Sequence, residues 1–193
     1  MSDSGWIAHP TAEVSSEAQI GGGTRIWNNC QVREGSRIGE ECVLSKDVYI
    51  DIGAVIGDRV KVQNGVSVYH GVTLEDDAFV GPHVVFTNDL YPRSANDDFE
   101  IIPTLLQQGA SVGANATILC GITLGRLSMV AAGAVVTQSV EDHVLVAGNP
   151  AVPIGMVCEC GGRVGGDQTR DDGSCRRCGR DVSSLVESRA RMT

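Results

Sequence analysis

The stretch "AVIGDRVKVQNGVSVYHGVTLEDDAFVGPHVVF", Ala54 to Phe86, decides the fold, because a branched or aromatic apolar residue returns in it every sixth position: Ile56, Val62, Val68, Leu74, Val80 and Phe86. Extended outward, the same step runs back through Ile50, Leu44, Ile38, Val32, Ile26 and Ile20 to Val14, and forward from Leu106 through Val112, Ile118, Leu124 and Val130 to Val136. Four residues after each aliphatic, the side chain is small or medium and mostly apolar, as at Ala54, Val60, Val66, Ala78, Ala110, Ala116 and Ala134. The residue directly after is often glycine, as at Gly57, Gly81, Gly113 and Gly125.

A period of six fits neither the helical 3.6 nor strand alternation, so it describes a short strand and a turn, repeated. One such unit cannot bury its apolar side alone, whereas stacked coils can. If three sides of six close a coil, residues eighteen apart lie over one another at about 4.8 Å. The nineteen aliphatic positions then make a little over six coils within about His9 to Pro153.

Composition narrows the function. A formal charge of −9, with basic residues scattered among more numerous acids, argues against nucleic acid. No basic leader with an apolar run and no stretch of 18 apolar residues occurs, so the sequence reads as a cytoplasmic protein without membrane insertion. Seven cysteines, an odd number, suit thiols and metal ligands better than a secreted disulfide framework.

The rhythm breaks once. From Phe86 to Leu106 there are twenty residues, one step plus fourteen, and the extra segment (a loop at about 89–105) carries Pro92, Asn96, Pro103 and several aspartates. An insertion into a solenoid must leave at a corner and lie outside, where long loops tend to be functional. His70 and Asn88 are eighteen apart and occupy the same position of their repeats, so they are expected on one outer face at the loop's root. His70 reads equally well as a solvated corner residue. His83 falls on the preceding side of the coil.

Gly113 with Ala131, and Ala114 with Ala132, repeat the offset of eighteen, leaving a strip without bulk that suits a narrow thiol-terminated arm. After Pro153 the rhythm ends, and Cys158-x-Cys160 and Cys175-x-x-Cys178 follow. Two close pairs beside glycines are what a closed tetrahedral zinc site requires; reduced thiols or a disulfide are the alternatives. Cys30 and Cys42 sit at inward repeat positions and read as core. Residues 154–182 are thus expected as a zinc-ribbon-like extension and 183–193 as a flexible tail.

The repeat resembles that of the hexapeptide acyltransferases, which implies an all-β, left-handed parallel β-helix and a homotrimer. "VQNGVSVY", "LEDDAFVGP" and "FTNDLYPRS" are similar to segments of the nucleotide-sugar N-acetyltransferases, which acetylate an amino group, commonly at C3, of a UDP- or dTDP-linked amino sugar. That resemblance implies acetyl-CoA as donor, Asn88 near the reacting amine and thioester, and Gln63, Asn64, Tyr69, Pro82 and His83 beside the sugar nucleotide. Arg93 is suited either to meet phosphate or to pin the loop to Asp97 or Asp98. "VAGNPA" resembles the segment that contacts coenzyme A, implying roles for Gly148, Asn149 and Pro150, although Val152 stands where relatives often carry a basic residue. No histidine lies between His83 and His143, which favours an amine acceptor over an alcohol. Rival readings are an O- or serine-type acetyltransferase on the same helix, a metal-dependent hydratase needing three converging histidines, and a non-catalytic scaffold.

Overall fold

The computed structural model describes residues 5–95 and 99–190. Residues 5–148 form a three-faced parallel β-solenoid whose strands are mostly two residues long. Along the chain the faces follow in turn: Ile7–Ala8 on the first, Glu13–Val14 on the second, Gln19–Ile20 on the third, and then the first again at Arg25–Ile26. The first face stacks eight parallel strands, from Ile7–Ala8 to Val144–Gly148. The solenoid therefore begins one step before Val14, with Ala8 in the aliphatic place.

The offset of eighteen is the observed register, as in Lys61↔Phe79, Ser67↔Val85 and Thr73↔Val55. Across the insertion Leu74 pairs with Leu106, so the fourteen additional residues leave and return without disturbing the stack. Only the last coil departs from the rule. Val130 pairs with Val146 and Leu124 with Val140, each sixteen residues on, so Val140 occupies an aliphatic place and not the small-partner place its spacing assigns.

The inward column is a dry core: Leu44, Ile50, Val62, Val68, Leu74, Val80, Leu106, Val112, Ile118 and Leu124 are all fully buried. Cys30 and Cys42 belong to it, and burial pushes both thiols up, keeping them neutral. Many acidic residues are used at the third corner, between the third and first faces. There the carboxylates of Asp58, Asp76, Glu75 and Asp142 accept the N–H of Glu40, Asp58, Gln108 and Arg126 at 2.7–2.9 Å, each tying two coils together.

The glycine after the aliphatic has a steric cause. A Cβ on Gly113 would lie 2.5 Å from the Ala132 nitrogen and 2.9 Å from the Ala131 carbonyl carbon, main-chain atoms that cannot turn aside. Gly113→Ala is expected to cost about 2–3 kcal/mol, the scale of overpacking, measured by urea unfolding.

Beyond the solenoid, Ala151–Val157 returns antiparallel to Val144–Gly148, and Arg163–Val164 adds a further strand. This crosses the boundary expected at 153/154. The tail expected to be flexible is helical over Ser183–Ala190: the Asp181 carboxylate accepts the Ser183 N–H and hydroxyl, and Arg189 Nη1 donates to the Val164 carbonyl at 2.8 Å.

Candidate active site

At the second corner, between the second and third faces, the register Ser67↔Val85 puts Tyr69 and His70 one coil below Thr87 and Asn88. Neither His70 nor Asn88 faces the interior: His70 is exposed and Asn88 half-buried. Among the described residues neither side chain has a hydrogen-bond partner. Below them lies a brace that repeat reading did not single out. The Asp51 carboxylate accepts the Tyr49 hydroxyl (2.8 Å), the Ile52 N–H (2.8 Å) and the His70 N–H (3.1 Å). Burial pushes Asp51 up, but these donors outweigh it and hold the carboxyl below its usual range. Arg33 reaches the Tyr49 hydroxyl at 3.4 Å and is held by Glu34 at 2.9 Å. Tyr49 also meets Tyr69 edge-on, with ring centroids 6.3 Å apart. None of these contacts joins residues eighteen apart, so the stacking rule does not announce the brace.

The loop leaves this corner after Asn88 and returns through Ile101 and Ile102 onto glycines of the same corner. A Cβ on Gly71 would lie 2.5 Å from Ile101 Cγ2, and one on Gly121 2.9 Å from Ile102 Cγ2. Both glycines also hold the left-handed φ that the corner requires, +86° and +82°. The Thr104 N–H donates to the Gly71 carbonyl, and Thr87 Oγ1 accepts the Cys120 N–H, so the coils above and below clamp the loop's two ends. Leu90, Tyr91, Phe99 and Ile101 are exposed along the loop. Arg93 is exposed and donates to its neighbour's carbonyl, that of Pro92; Asn96, Asp97 and Asp98, its expected partners among them, lie outside the described residues.

The other expected site residues sit at the first corner, between the first and second faces. Gln63 and Asn64 underlie Gly81, Pro82 and His83, one face-width from His70, up to about 20 Å of extended chain. His83 takes the left-handed corner conformation, φ 57°, with its ring over Gly65, where a Cβ would lie 2.7 Å from Nδ1. Within one chain, then, Tyr69, His70, Asn88 and Arg93 share one corner and its loop, while Gln63, Asn64, Pro82 and His83 share another.

Higher on the first corner, Gly113 stacks under Ala131 and Ala114 under Ala132 as the spacing requires. The N–H groups of Gly113 and Ala131 are used by the coils, donating to Val130 and Val146. Those of Ala114 and Ala132 have no acceptor among the described residues. The strip therefore offers two free donors with small side chains around them. The hairpin above it turns at Gly148, Asn149 and Pro150, the Asn149–Pro150 peptide being cis.

The extension brings its four cysteine Sγ atoms within 4.8 Å of one another. Cys158 and Cys178 are 3.6 Å apart, Cys160 and Cys175 3.8 Å. A regular tetrahedron of thiolates at 2.3 Å from an ion has edges of about 3.8 Å, whereas a disulfide needs about 2.05 Å. Burial pushes the Cys158 thiol up to about 12, while the Arg180 N–H pulls Cys178 down to about 6 and the Cys178 N–H lowers Cys175.

Comparison with known proteins agrees with this architecture. The family described as bacterial transferase hexapeptide (six repeats) matches residues 53–88, and the hexapeptide repeat of succinyl-transferase matches 35–70 and 108–138, on either side of the loop. The chain is a hexapeptide-repeat β-solenoid. Among its relatives are a serine acetyltransferase of Arabidopsis thaliana, 38% identical over 120 residues (62% of this chain, 30% of the relative), and the dTDP-3-amino-3,6-dideoxy-α-D-galactopyranose 3-N-acetyltransferase of Aneurinibacillus thermoaerophilus, 47% identical over 57 residues (30% of each). The chain thus spans under a third of the length of each. The acetyltransferase domain of PglB from Neisseria gonorrhoeae, solved with acetyl coenzyme A, shares the fold with a TM-score of 0.52 at 23% identity, over 78% of this chain and 58% of that one. Among the described residues no helix is long and apolar enough to cross a membrane.

Proposed function

We propose that the protein transfers acetyl from acetyl-CoA to the amino group of a nucleotide-linked amino sugar, by direct attack in a ternary complex. The observation that carries this reading is the second corner, where Asn88, whose amide has no hydrogen-bond partner among the described residues, stands over His70 at the root of an inserted loop. The identity shared with a dTDP-3-amino-sugar 3-N-acetyltransferase supports the acceptor class. The absence of any histidine from position 84 to 142 supports an amine over an alcohol.

The chemistry asks little of a base. A sugar amine beside electron-withdrawing oxygens titrates near pH 8, so about a tenth is neutral at pH 7. Asn88 orients the amine or the thioester carbonyl, and a free backbone N–H such as that of Ala114 or Ala132 meets the oxyanion. As the tetrahedral intermediate collapses, the C–S bond breaks and the departing thiolate, with a thiol-like pKa near 8.5, takes the proton that the amine sheds. His70 or His83 is then a helper. Arg93 and the first-corner residues Gln63, Asn64, Pro82 and His83 hold the nucleotide sugar, and Tyr69 lies beside it. Gly113, Ala114, Ala131, Ala132, Gly148, Asn149 and Pro150 line the donor arm.

Because these residues occupy two corners of one chain, a homotrimer in which one copy's first corner meets a neighbour's second would complete the site. The four cysteines fit Zn(II), with no position left open for a substrate, and its role is structural.

The test is thiol release from acetyl-CoA against a panel of UDP- and dTDP-amino sugars and the corresponding hydroxy sugars, with L-serine as a further acceptor. Turnover confined to an amino sugar is expected. Turnover of serine or a sugar hydroxyl would move the protein to the O-acetylating rival, and failure to bind acetyl-CoA would leave a scaffold.

A further inference from the structure

The hairpin and the cysteine cluster are one mechanical unit. Of its two legs, Val144–Gly148 is the last strand of the first face and is fixed by Met129↔Leu145 and Val130↔Val146. The other, Ala151–Val157, pairs with that leg and runs straight into Cys158. What covers its outer edge comes from the extension. Arg163–Val164 pairs with Met156 and Val157, Arg163 Nη2 donates to the Ile154 carbonyl at 3.3 Å, and the helix Ser183–Ala190 packs against the same leg.

The extension has little else to hold it. Its own buried cluster is Met156, Cys158, Val164, Cys175 and Val182, two of which are the cysteines themselves, with Cys160, Leu185 and Val186 packed against it. A core of this size does not sustain a fold without a staple. The Sγ separations of 3.6 and 3.8 Å provide for one.

We propose that Zn(II) bound by Cys158, Cys160, Cys175 and Cys178 fastens the return leg Ala151–Val157 and thereby sets how tightly the tip Gly148–Pro150 holds the acyl donor. The solenoid, with its separate core, stays folded when the metal leaves. The coupling acts through about 23 Å of extended strand between Ala151 and Cys158. It rests on the reading of that tip as a coenzyme contact.

The experiment uses the full chain, purified reduced, with zinc measured by mass spectrometry before and after chelation. Amide exchange is followed at 106–118 and 151–164, and CoA binding by calorimetry. We expect one zinc per chain, faster exchange at 151–164 but not at 106–118 on its removal, CoA binding about tenfold weaker, and recovery of both on adding zinc back. Cys178→Ser, which alters the exposed ligand and spares the buried ones, is expected to reproduce the metal-free behaviour. No bound zinc, unchanged exchange at 151–157, or exchange that rises while CoA binding stays within twofold would each overturn the proposal. A zinc-loaded protein that binds no CoA would instead overturn the acetyltransferase reading, and the proposed control of donor binding with it.

Discussion

Replacing Asn88 by alanine lowers kcat/KM for the amino-sugar acceptor by about 10²-fold, the scale for losing an oriented polar group that acts in the transition state. The protein itself should barely respond. The Asn88 amide has no hydrogen-bond partner among the described residues, so its removal leaves no buried group stranded, and urea unfolding is expected to shift by less than about 0.5 kcal/mol. His70→Ala is expected to cost less activity than Asn88→Ala. The imidazole is exposed, and the corner is held from below through its backbone N–H, which Asp51 accepts whatever the side chain. A larger loss at His70 than at Asn88 would reverse the two roles and make the histidine the base that a sluggish, protonated amine needs. Equal and small losses at both would detach the second corner from catalysis altogether.

How much of this was legible in the sequence follows from which contacts obey the repeat. Every interaction between residues eighteen apart could be written down from the numbering: the core column, the smooth strip Gly113–Ala131, and the placement of Asn88 over His70. The loop was visible as a missed beat, and the cysteine pairs by their spacing. What escaped were interactions that use the repeat without marking it. Asp51 accepts from Tyr49 and His70 with no motif of its own. The shortened last coil was masked because Val140 also fills the small-partner place four residues after Val136. The helix Ser183–Ala190 offers only Leu185 and Val186 to the extension's core and gains the rest from Asp181 and Arg189; so short an apolar signal looks like a fraying end. The division of the expected substrate residues between two corners was implicit in the spacing of Gln63 and Asn64 from Tyr69 and His70, but becomes plain only once the faces are laid out.

Phe86→Ala is the largest stability loss expected, about 3–5 kcal/mol, on the scale of emptying a buried aromatic site. Phe86 is 1% exposed in a column otherwise built of valine and isoleucine, with Val68 below and Ile118 above through the ladders Ser67↔Val85 and Phe86↔Ile118. The short valine beneath leaves room for the ring, and short two-residue strands cannot collapse sideways to close the space an alanine would leave. Phe86→Leu, which keeps most of the volume, is expected to cost less than about 1.5 kcal/mol. Since a solenoid's stability is a sum over neighbouring coils, the damage should be local. Amide exchange is expected to rise around 67–89 and 104–119 while 19–45 stays protected. Activity should fall with it, because Phe86 closes the strand Val85–Phe86 two residues before Asn88, and Phe86→Leu should restore most of it. Exchange that rises evenly along the chain would mean the coils fold as a single cooperative block, and the loop's root could then no longer be treated as a separately braced element.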